Sequence, residues 1–499
     1  MTTDVPPKRA VSPKLRPGSE VEIEFLDLLA NGQGVGRVYG VVVFCFGPLP
    51  GERALVRIET IKKTYLVGRA VKLLSLSPNR VKPFCPAFGA CGGCQIQHLA
   101  YRAQLEWKRD LVRNALERIG GFAEVDVRPT VGMLFPRAYR NKMALVVDNR
   151  FAPPALGFYR QRSHDVVPIG ECGIVAPPLS EFIARLDEAR RMPATAPAFR
   201  NARHIVARTA RSSKQTVVTF TTPAVSDDVQ NASGALAAAL PGVTGIANSY
   251  DLPSANSVIG RRIRPVAGGI DIEETIDDVR YVVSPSSFFQ VNVEIVGRIF
   301  SFMRSGLGQP RKIVDLYCGA GTFSLFFAKR GCTVLGIEEN PQAILEAEYN
   351  AQLNDVADAV AFVSGKVEEL VATDIVGARL QGCDIVFLDP PRKGSDEATL
   401  RAIVERKVPN VWYLSCDPAT LARDLRFLAS NGYAIGVVQP FDMFPQTGHV
   451  ETLVTLYHRG DAVAREIAVA FSDVPVPQWP IDELPQERPE YPEFVFTED

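Results

Sequence analysis

Between residues 19 and 78 the chain alternates apolar and polar positions in short runs, VEIEFLDL, VGRVYGVVVFCF, ERALVRIET and TYLVGRAVKLL, parted by the turn-forming NGQG and PLPGE. Alternation with a period of two predicts strands with one buried face, and several such runs in quick succession predict a small closed, OB-like β-barrel. SPNRVKPFCP then leads through a cysteine-rich turn into LAYRAQLEWKRDLVRNALERIG (99–120), whose apolar positions recur at helical spacing. Up to residue 285, strand-like runs (MALVVD, HIVARTA, QTVVTFTT, VRYVVSP) mix with a few helices, so 79–285 reads as an α+β middle domain. From 286 to 460 apolar strands alternate with helical stretches: KIVDLYC, TVLGIEE, DIVFLD, NVWYLSC, AIGVVQP and ETLVTLYH. That alternation predicts a doubly wound, mostly parallel sheet, a Rossmann-like α/β domain. Residues 1–18 are expected to be a disordered basic arm. Residues 461–499, rich in proline and ending in acids, are expected to be a disordered or loosely attached tail, or a short docking segment. No internal repeat is present.

At 499 residues, 46% hydrophobic and 22% charged, the chain can bury a sizeable core in about two to four domains. No apolar run approaches the roughly 18 residues of a membrane span, and MTTDVPPKRAVSPKLRPGS has no apolar centre for a secretory signal. Nine cysteines without a disulfide-type framework fit a reducing compartment, so a cytoplasmic protein with no membrane partner is expected. The net charge of −1 conceals an asymmetry: residues 1–120 carry 18 Lys+Arg against 10 Asp+Glu, and 461–499 carry 2 against 10. A basic front end suits a phosphate-bearing partner, but charge alone equally describes a solvated surface.

Motifs narrow the chemistry. VDLYCGAGTFS (314–324) follows a strand and opens a helix. Gly319 and Gly321 let backbone approach a ligand, with Asp315 near the end of the strand. A dinucleotide fingerprint needs a third glycine where Ser324 stands, so NAD binding is disfavoured. In GIEE, which ends the next strand, Glu338 is placed to accept hydrogen bonds from ribose hydroxyls. The two motifs together point to S-adenosyl-L-methionine. DIVFLDPPRKG (384–394) puts Asp389 at a strand end, with Arg392 where base-amine methyltransferases carry an aromatic residue.

YLSCDPATLARDL (413–425) places Cys416 between a strand and a helix, where free backbone N–H groups of the first turn are expected to favour a thiolate; a thiol that merely packs is the plain alternative. Downstream, FDMFPQTGHVETL holds Glu451 just before another strand. A thiolate and a carboxylate beside a methyl donor suit methylation of uracil carbon 5, which becomes nucleophilic only after a nucleophile adds to carbon 6; the adduct then needs a base to remove the carbon-5 proton. Cysteines 85, 91 and 94, with the remote Cys172, form a set that spacing alone assigns equally to an iron–sulfur cluster or to zinc.

Together SFFQVN (287–292), DLYCGAGTFS, LDPPRKG, SCDPATLARDL and DMFPQTGHVE resemble the RumA/TrmA class of RNA (uracil-5-)-methyltransferases over residues 19–460. The resemblance implies a TRAM-like barrel (19–78), a middle domain holding a [4Fe–4S] cluster on Cys85, Cys91, Cys94 and Cys172, and a methyltransferase domain (286–460). It implies Cys416 as nucleophile and Glu451 as proton acceptor. Gln290, Tyr317, Thr322, Glu338 and Asp389 fall on positions lining the S-adenosylmethionine site, beside Asp315, Gly319 and Gly321. Phe288 falls where the family holds an aromatic residue against the flipped-out nucleotide, and Arg137, Tyr139, Arg140, Asn141 and Lys142 lie in a segment that is basic in relatives. Three positions depart from the pattern: Asp417 in place of Asn, Gln446 in place of His, and Lys366 where a polar contact to adenine is usual. The expected protein is a monomer acting on RNA, with large-subunit ribosomal RNA favoured and tRNA the alternative. An RNA cytosine-5 methyltransferase and a non-catalytic RNA-binding protein are the other readings; the second predicts loss of Cys416 or Glu451, and both are present.

Overall fold

The computed structural model describes residues 15–476 apart from 255, 310 and 473, so residues 1–14 of the expected arm and the tail from 477 onward lie outside the described residues, while Gly18, within the arm expected over 1–18, donates its N–H to the Ile58 carbonyl at 2.7 Å. The described residues divide into two compact units: those up to 104 with 446–448, and 105–445 with those from 449 onward.

In the first unit, β1 (Glu20–Leu28), β2 (Gln33–Val38), β3 (Val41–Phe46), β4 (Arg53–Ile61) and β5 (Tyr65–Ser75) close into a barrel in the order β1-β2-β3-β5-β4. Ile23, Phe25, Val43, Cys45, Ala54, Val56, Ile58 and Leu66, on alternate positions of their strands, fill its interior. The run VGRVYGVVVFCF is two strands, because Tyr39 (φ 50°) and Gly40 (φ 81°) form a two-residue loop with both residues left-handed, the geometry that reverses a twisted hairpin. Gly36 is required where β2 crosses β1: a Cβ there would lie 2.4 Å from Ile23 Cγ2. Gln446 is an internal tie of this unit. Its side chain accepts from Gln104 Nε2 at 2.9 Å, and its carbonyl accepts from the backbone N–H groups of Gln95 and Ile96.

In the second unit, β6 (Lys142–Asp148), β7 (Ala155–Tyr159), β8 (Val166–Pro168), β9 (His204–Thr209), β10 (Thr216–Thr221), β11 (Gly245–Tyr250) and β12 (Arg262–Gly268) form a sheet ordered β12-β11-β10-β9-β6-β7-β8. A hairpin of β13 (Ile272–Ile276) and β14 (Val279–Val283) follows. Asn350 and Asn354 side chains bond its edge, and Tyr281 donates its hydroxyl to the Thr322 carbonyl at 2.8 Å.

The last sheet contains β15 (Lys312–Leu316), β16 (Thr333–Glu338), β17 (Val360–Ser364), β18 (Ile385–Leu388), β19 (Asn410–Ser415), β20 (Tyr433–Phe441) and β21 (Glu451–His458), in the order β17-β16-β15-β18-β19-β21-β20. Only β21 runs against the others. Its inner strands β15, β16, β18, β19 and β21 are largely buried on both faces, which is why they read as continuous apolar runs. Phe300, Phe323, Phe326, Phe327, Phe387 and Trp412 pack ring on ring against it, Phe300 and Phe326 at 4.3 Å between centroids. β17 lay outside the sequence-based expectation: VAFVS is a five-residue edge strand with only Val360 buried, held by pairing to β16.

The expected loose tail is a packed element at its start. The helix Ala462–Val469 is capped by Asp461 and buries Ala464, Ile467 and Ala468, while Phe471 stacks on Phe302 at 4.9 Å and meets Trp412 at 5.0 Å. Its apolar residues fall on one helical face, which the proline-rich composition further on obscured. Lys108, in the helix Tyr101–Ala115, and Asp442 form an ion pair with both side chains fully buried, fixing the segment that leads toward residue 449. No helix among the described residues is long and apolar enough to cross a membrane.

Candidate active site

The carboxyl ends of β16, β15, β18 and β19 present Glu338, Asp315, Asp389 and Cys416 at one edge of the last sheet. Because β21 is antiparallel, its first residue rather than its last reaches that edge. Ser415 pairs with Thr452, so Cys416 and Glu451 occupy the next, facing positions.

These groups form one electrostatic neighbourhood. Burial pushes the Asp315 carboxyl up to about 8, Asp389 and Glu338 adding to it. Burial pushes Asp389 up to about 7. Glu451, only 5% exposed, is held well above the ordinary carboxylate range by burial and by Asp389, with Arg392 opposing. Three acids raised by burial at one strand edge, Asp315, Asp389 and Glu451, cannot all ionise cheaply. Asp315 Oδ1 and Glu451 Oε1 are buried without a hydrogen-bond partner among the described residues, so the edge is short of donors or positive charge.

The nucleotide-side cradle is built locally. Tyr317 (φ 68°), Gly319 (φ 54°) and Gly321 (φ 83°) take left-handed conformations in the turn after β15. A Cβ on Gly319 would meet nothing within 4 Å, leaving its face open, whereas one on Gly321 would press Ala347 Cβ at 3.2 Å. Glu338 accepts from the Gly319 backbone N–H at 3.1 Å, and Ser324 donates to Asp315 at 2.5 Å. Thr322 begins the helix Thr322–Ala328 and is buried, and the Tyr317 hydroxyl lies 3.1 Å from Ser395 Oγ. Gln290 is buried just before the helix Val293–Leu307, and its carbonyl accepts from Asn141 Nδ2 at 3.1 Å. These residues fit S-adenosylmethionine: an open glycine turn for the nucleoside, a strand-end acid for its ribose, and underfilled carboxyls for a sulfonium. Lys366 is engaged with Glu369 at 3.1 Å on the surface.

Cys416 corrects one expectation. The helix Pro418–Ser430 does start beside it, but the Asp417 carboxylate accepts from the Ala419 and Thr420 backbone N–H groups at 2.9 Å each. The first turn is thus already capped by a negative charge. Burial pushes the thiol up to about 12, Glu451 and Asp389 raising it further, Arg392 lowering it and Asp417 raising it. The resting group is a thiol, and a thiolate must be created when positive charge arrives.

Around the thiol, sequence reasoning missed His449. Its Nε2 lies 3.4 Å from Arg392 Nη2 and accepts from it, which assigns the ring proton to Nδ1. Burial, then Arg392, Lys108 and Arg140, push its imidazole down to about 4, so it is neutral. The GHVE context was its only signal. Phe288 projects from the segment before Gln290, 73% exposed. Arg140, half-buried, donates from Nε to the Lys142 carbonyl at 3.0 Å.

Cys85, Cys91 and Cys94 lie in the first unit and Cys172 in the second; all four are half-buried and outside any disulfide. Burial raises the Cys91 thiol, and Cys85 adds to the rise. Among the described residues, no three Cys, His, Asp or Glu side chains converge as a metal site; what fits a metal is the donor set.

Residues 270–459 match the tRNA (Uracil-5-)-methyltransferase family, and residues 14–71 match the TRAM domain. The chain is 37% identical over 445 residues to an uncharacterized RNA methyltransferase of Halalkalibacterium halodurans, covering 87% of this chain and 96% of that protein. It is 36% identical over 456 residues to one from Bacillus cereus, covering 89% and 98%. The crystal structure of the Pyrococcus abyssi tRNA (uracil-54, C5)-methyltransferase in complex with S-adenosyl-L-homocysteine superposes with a TM-score of 0.68 at 29% identity, covering 87% of this chain and all of that one. With the five-stranded barrel in front and the methyltransferase sheet behind it in sequence, this chain belongs to the RNA (uracil-5-)-methyltransferase family.

Proposed function

We propose that this chain methylates carbon 5 of a uracil in RNA by way of a covalent adduct on Cys416. The observation that carries the reading is the β19–β21 register, which sets a thiol and a carboxyl opposite each other at the edge lined by the donor-side acids. S-adenosylmethionine, when bound, supplies the electrophilic methyl group and a positive charge. The Cys416 sulfur bonds to carbon 6 of the ring, and the displaced electron pair makes carbon 5 nucleophilic toward that methyl group. Glu451 takes the carbon-5 proton, and the carbon–sulfur bond then breaks, returning the thiol. Asp389, shared between the donor side and the thiol, positions both. Phe288 and Arg140 hold the extruded nucleotide.

The test is nucleoside analysis of RNA incubated with the protein and a labelled methyl donor. Label in 5-methyluridine is expected; label in 5-methylcytidine would establish the cytosine-directed reading instead. We assign large-subunit ribosomal RNA as the substrate, on the joint presence of barrel and cysteine set, although the Pyrococcus relative acts on tRNA. Mapping 5-methyluridine in ribosomal and transfer RNA from cells with and without the gene decides this.

Cys85, Cys91, Cys94 and Cys172 are proposed as the ligands of a [4Fe–4S] cluster, in preference to zinc, with a role in ordering their segments and none in methyl transfer. The cationic core of such a cluster offsets the negative charge of four thiolate ligands. Protein purified without oxygen is expected to carry about four irons and sulfur-to-iron charge-transfer absorbance. Stoichiometric zinc, or no metal, overturns the assignment.

The pH dependence follows from the thiol. Since Cys416 and the acids beside it are raised, the rate with RNA should climb as pH rises through neutrality toward alkaline values, because ionised forms become available. Asp417→Asn keeps the helix cap, as an amide oxygen accepts the same N–H bonds, but removes a negative charge next to the thiol. The ascending limb should move down by about half a pH unit, roughly a threefold gain at neutral pH. An unchanged profile would mean that solvent screens Asp417 from the thiol.

A further inference from the structure

Lys142 on β6 and Arg208 on β9 are register partners in adjacent antiparallel strands, so their side chains share one face of the middle sheet. Arg208 is 5% exposed; its Nη2 donates to the Ser287 carbonyl at 2.7 Å, while its Nη1 is buried with no partner among the described residues. Burial pushes the Lys142 ammonium down to about 7, and Arg208 and Arg140 push it the same way. Burial pushes Arg208 down to about 10, opposed by Glu346. Glu346 is the carboxylate facing this group, and it already accepts from the hydroxyls of Ser284, at 2.6 Å, and Ser287. Arg208 therefore meets one acid that is in part satisfied elsewhere, and Lys142, with Arg140 near it, adds positive charge beside it. Such an arrangement opposes folding unless something negative completes it.

The cations are wired to the segment that presents Phe288. Arg208 grips the carbonyl of Ser287, the residue before it. Asn141, between Arg140 and Lys142, bonds Val291 through its backbone N–H at 3.0 Å and Gln290 through Nδ2 at 3.1 Å. Arg140 acts electrostatically on both Lys142 and His449, so the group extends toward Arg392 and the thiol. We propose that Arg140, Lys142 and Arg208 form an oxyanion subsite that takes a phosphodiester of the substrate RNA next to the nucleotide held by Phe288. This rests on the RNA-methylating reading. The methyl donor carries a carboxylate too, but the solvent-facing position of Phe288 on the same segment favours the RNA.

The test is equilibrium RNA binding across a salt series, with no methyl donor and hence no turnover, using wild type, Lys142→Met and Lys142→Arg. Lys142→Met should weaken RNA binding about tenfold and make the slope of log affinity against log salt shallower by about one, with affinity for S-adenosylhomocysteine unchanged. Lys142→Arg, which keeps the charge, should retain the wild-type slope, separating a lost cation from lost packing. Unchanged RNA affinity and slope in Lys142→Met overturns the proposal. So does selective loss of S-adenosylhomocysteine binding, which would give the cations to the donor. A wild type that binds RNA in this Lys142-dependent way yet makes no 5-methyluridine would sink the methylation reading and leave the subsite standing.

Discussion

Cys416→Ala is expected to abolish uridine methylation, with kcat falling by at least about 10⁴-fold, and to prevent the covalent complex that wild type forms with 5-fluorouridine RNA in the presence of the methyl donor. Removing a nucleophile leaves no alternative route, because carbon 5 of an unmodified uracil has too little electron density to displace a methyl group. The thiol is half-buried directly after β19, so RNA affinity and melting temperature should hold. That combination separates a chemical role from a structural one. The measurements are single-turnover methyl transfer and a denaturing gel of the fluorouridine complex. Residual methylation near the wild-type rate would rule out the adduct, and with it the role assigned to Glu451.

Glu451→Gln should fail later in the cycle. One methyl group per enzyme is expected to transfer in a burst, after which the methylated RNA stays bonded to Cys416, with turnover slower by about 10²–10⁴-fold. Addition itself should not suffer, since Glu451 is the foremost charge opposing ionisation of the Cys416 thiol, and glutamine removes it. Accumulation of adduct on ordinary uridine RNA is therefore the signature, read by mass spectrometry of the protein. Full turnover in Glu451→Gln would transfer proton abstraction to another group, Asp389 being the nearest acid by its effect on both residues. Loss of the burst as well would mean that Glu451 acts before or during addition. The elevated carboxyl range of Glu451 makes its carboxylate a stronger base than a solvated one, which suits removal of the carbon-5 proton.

Much of this site was legible in the chain because its parts are local. A strand-end acid followed by a glycine turn and a helix, as in DLYCGAGTFS, encodes its own geometry, and the left-handed Gly319 and Gly321 stand where the motif placed them. The same holds for Asp389 after DIVFL and for Cys416 between a strand and a helix. What could not be read was competition for the same groups. Asp417 is visible as a residue, but only the folded turn shows its carboxylate taking the N–H groups that a thiolate would have used. Likewise VAFVS is too short a run to declare itself a strand without β16 beside it.

By itself the sequence determined which segments are strands of a closed barrel and which alternate with helices, and it marked the thiol, the acids and the cysteine set, because periodicity and short motifs act over a few residues. The tertiary structure alone decided that β21 runs backwards and so delivers Glu451 to Cys416. It alone set Arg208 beside Lys142 and brought Phe471, after the helix Ala462–Val469, onto Phe302 and Trp412. Strand direction and register are settled by pairing between residues tens to hundreds of positions apart, and no local pattern carries that information.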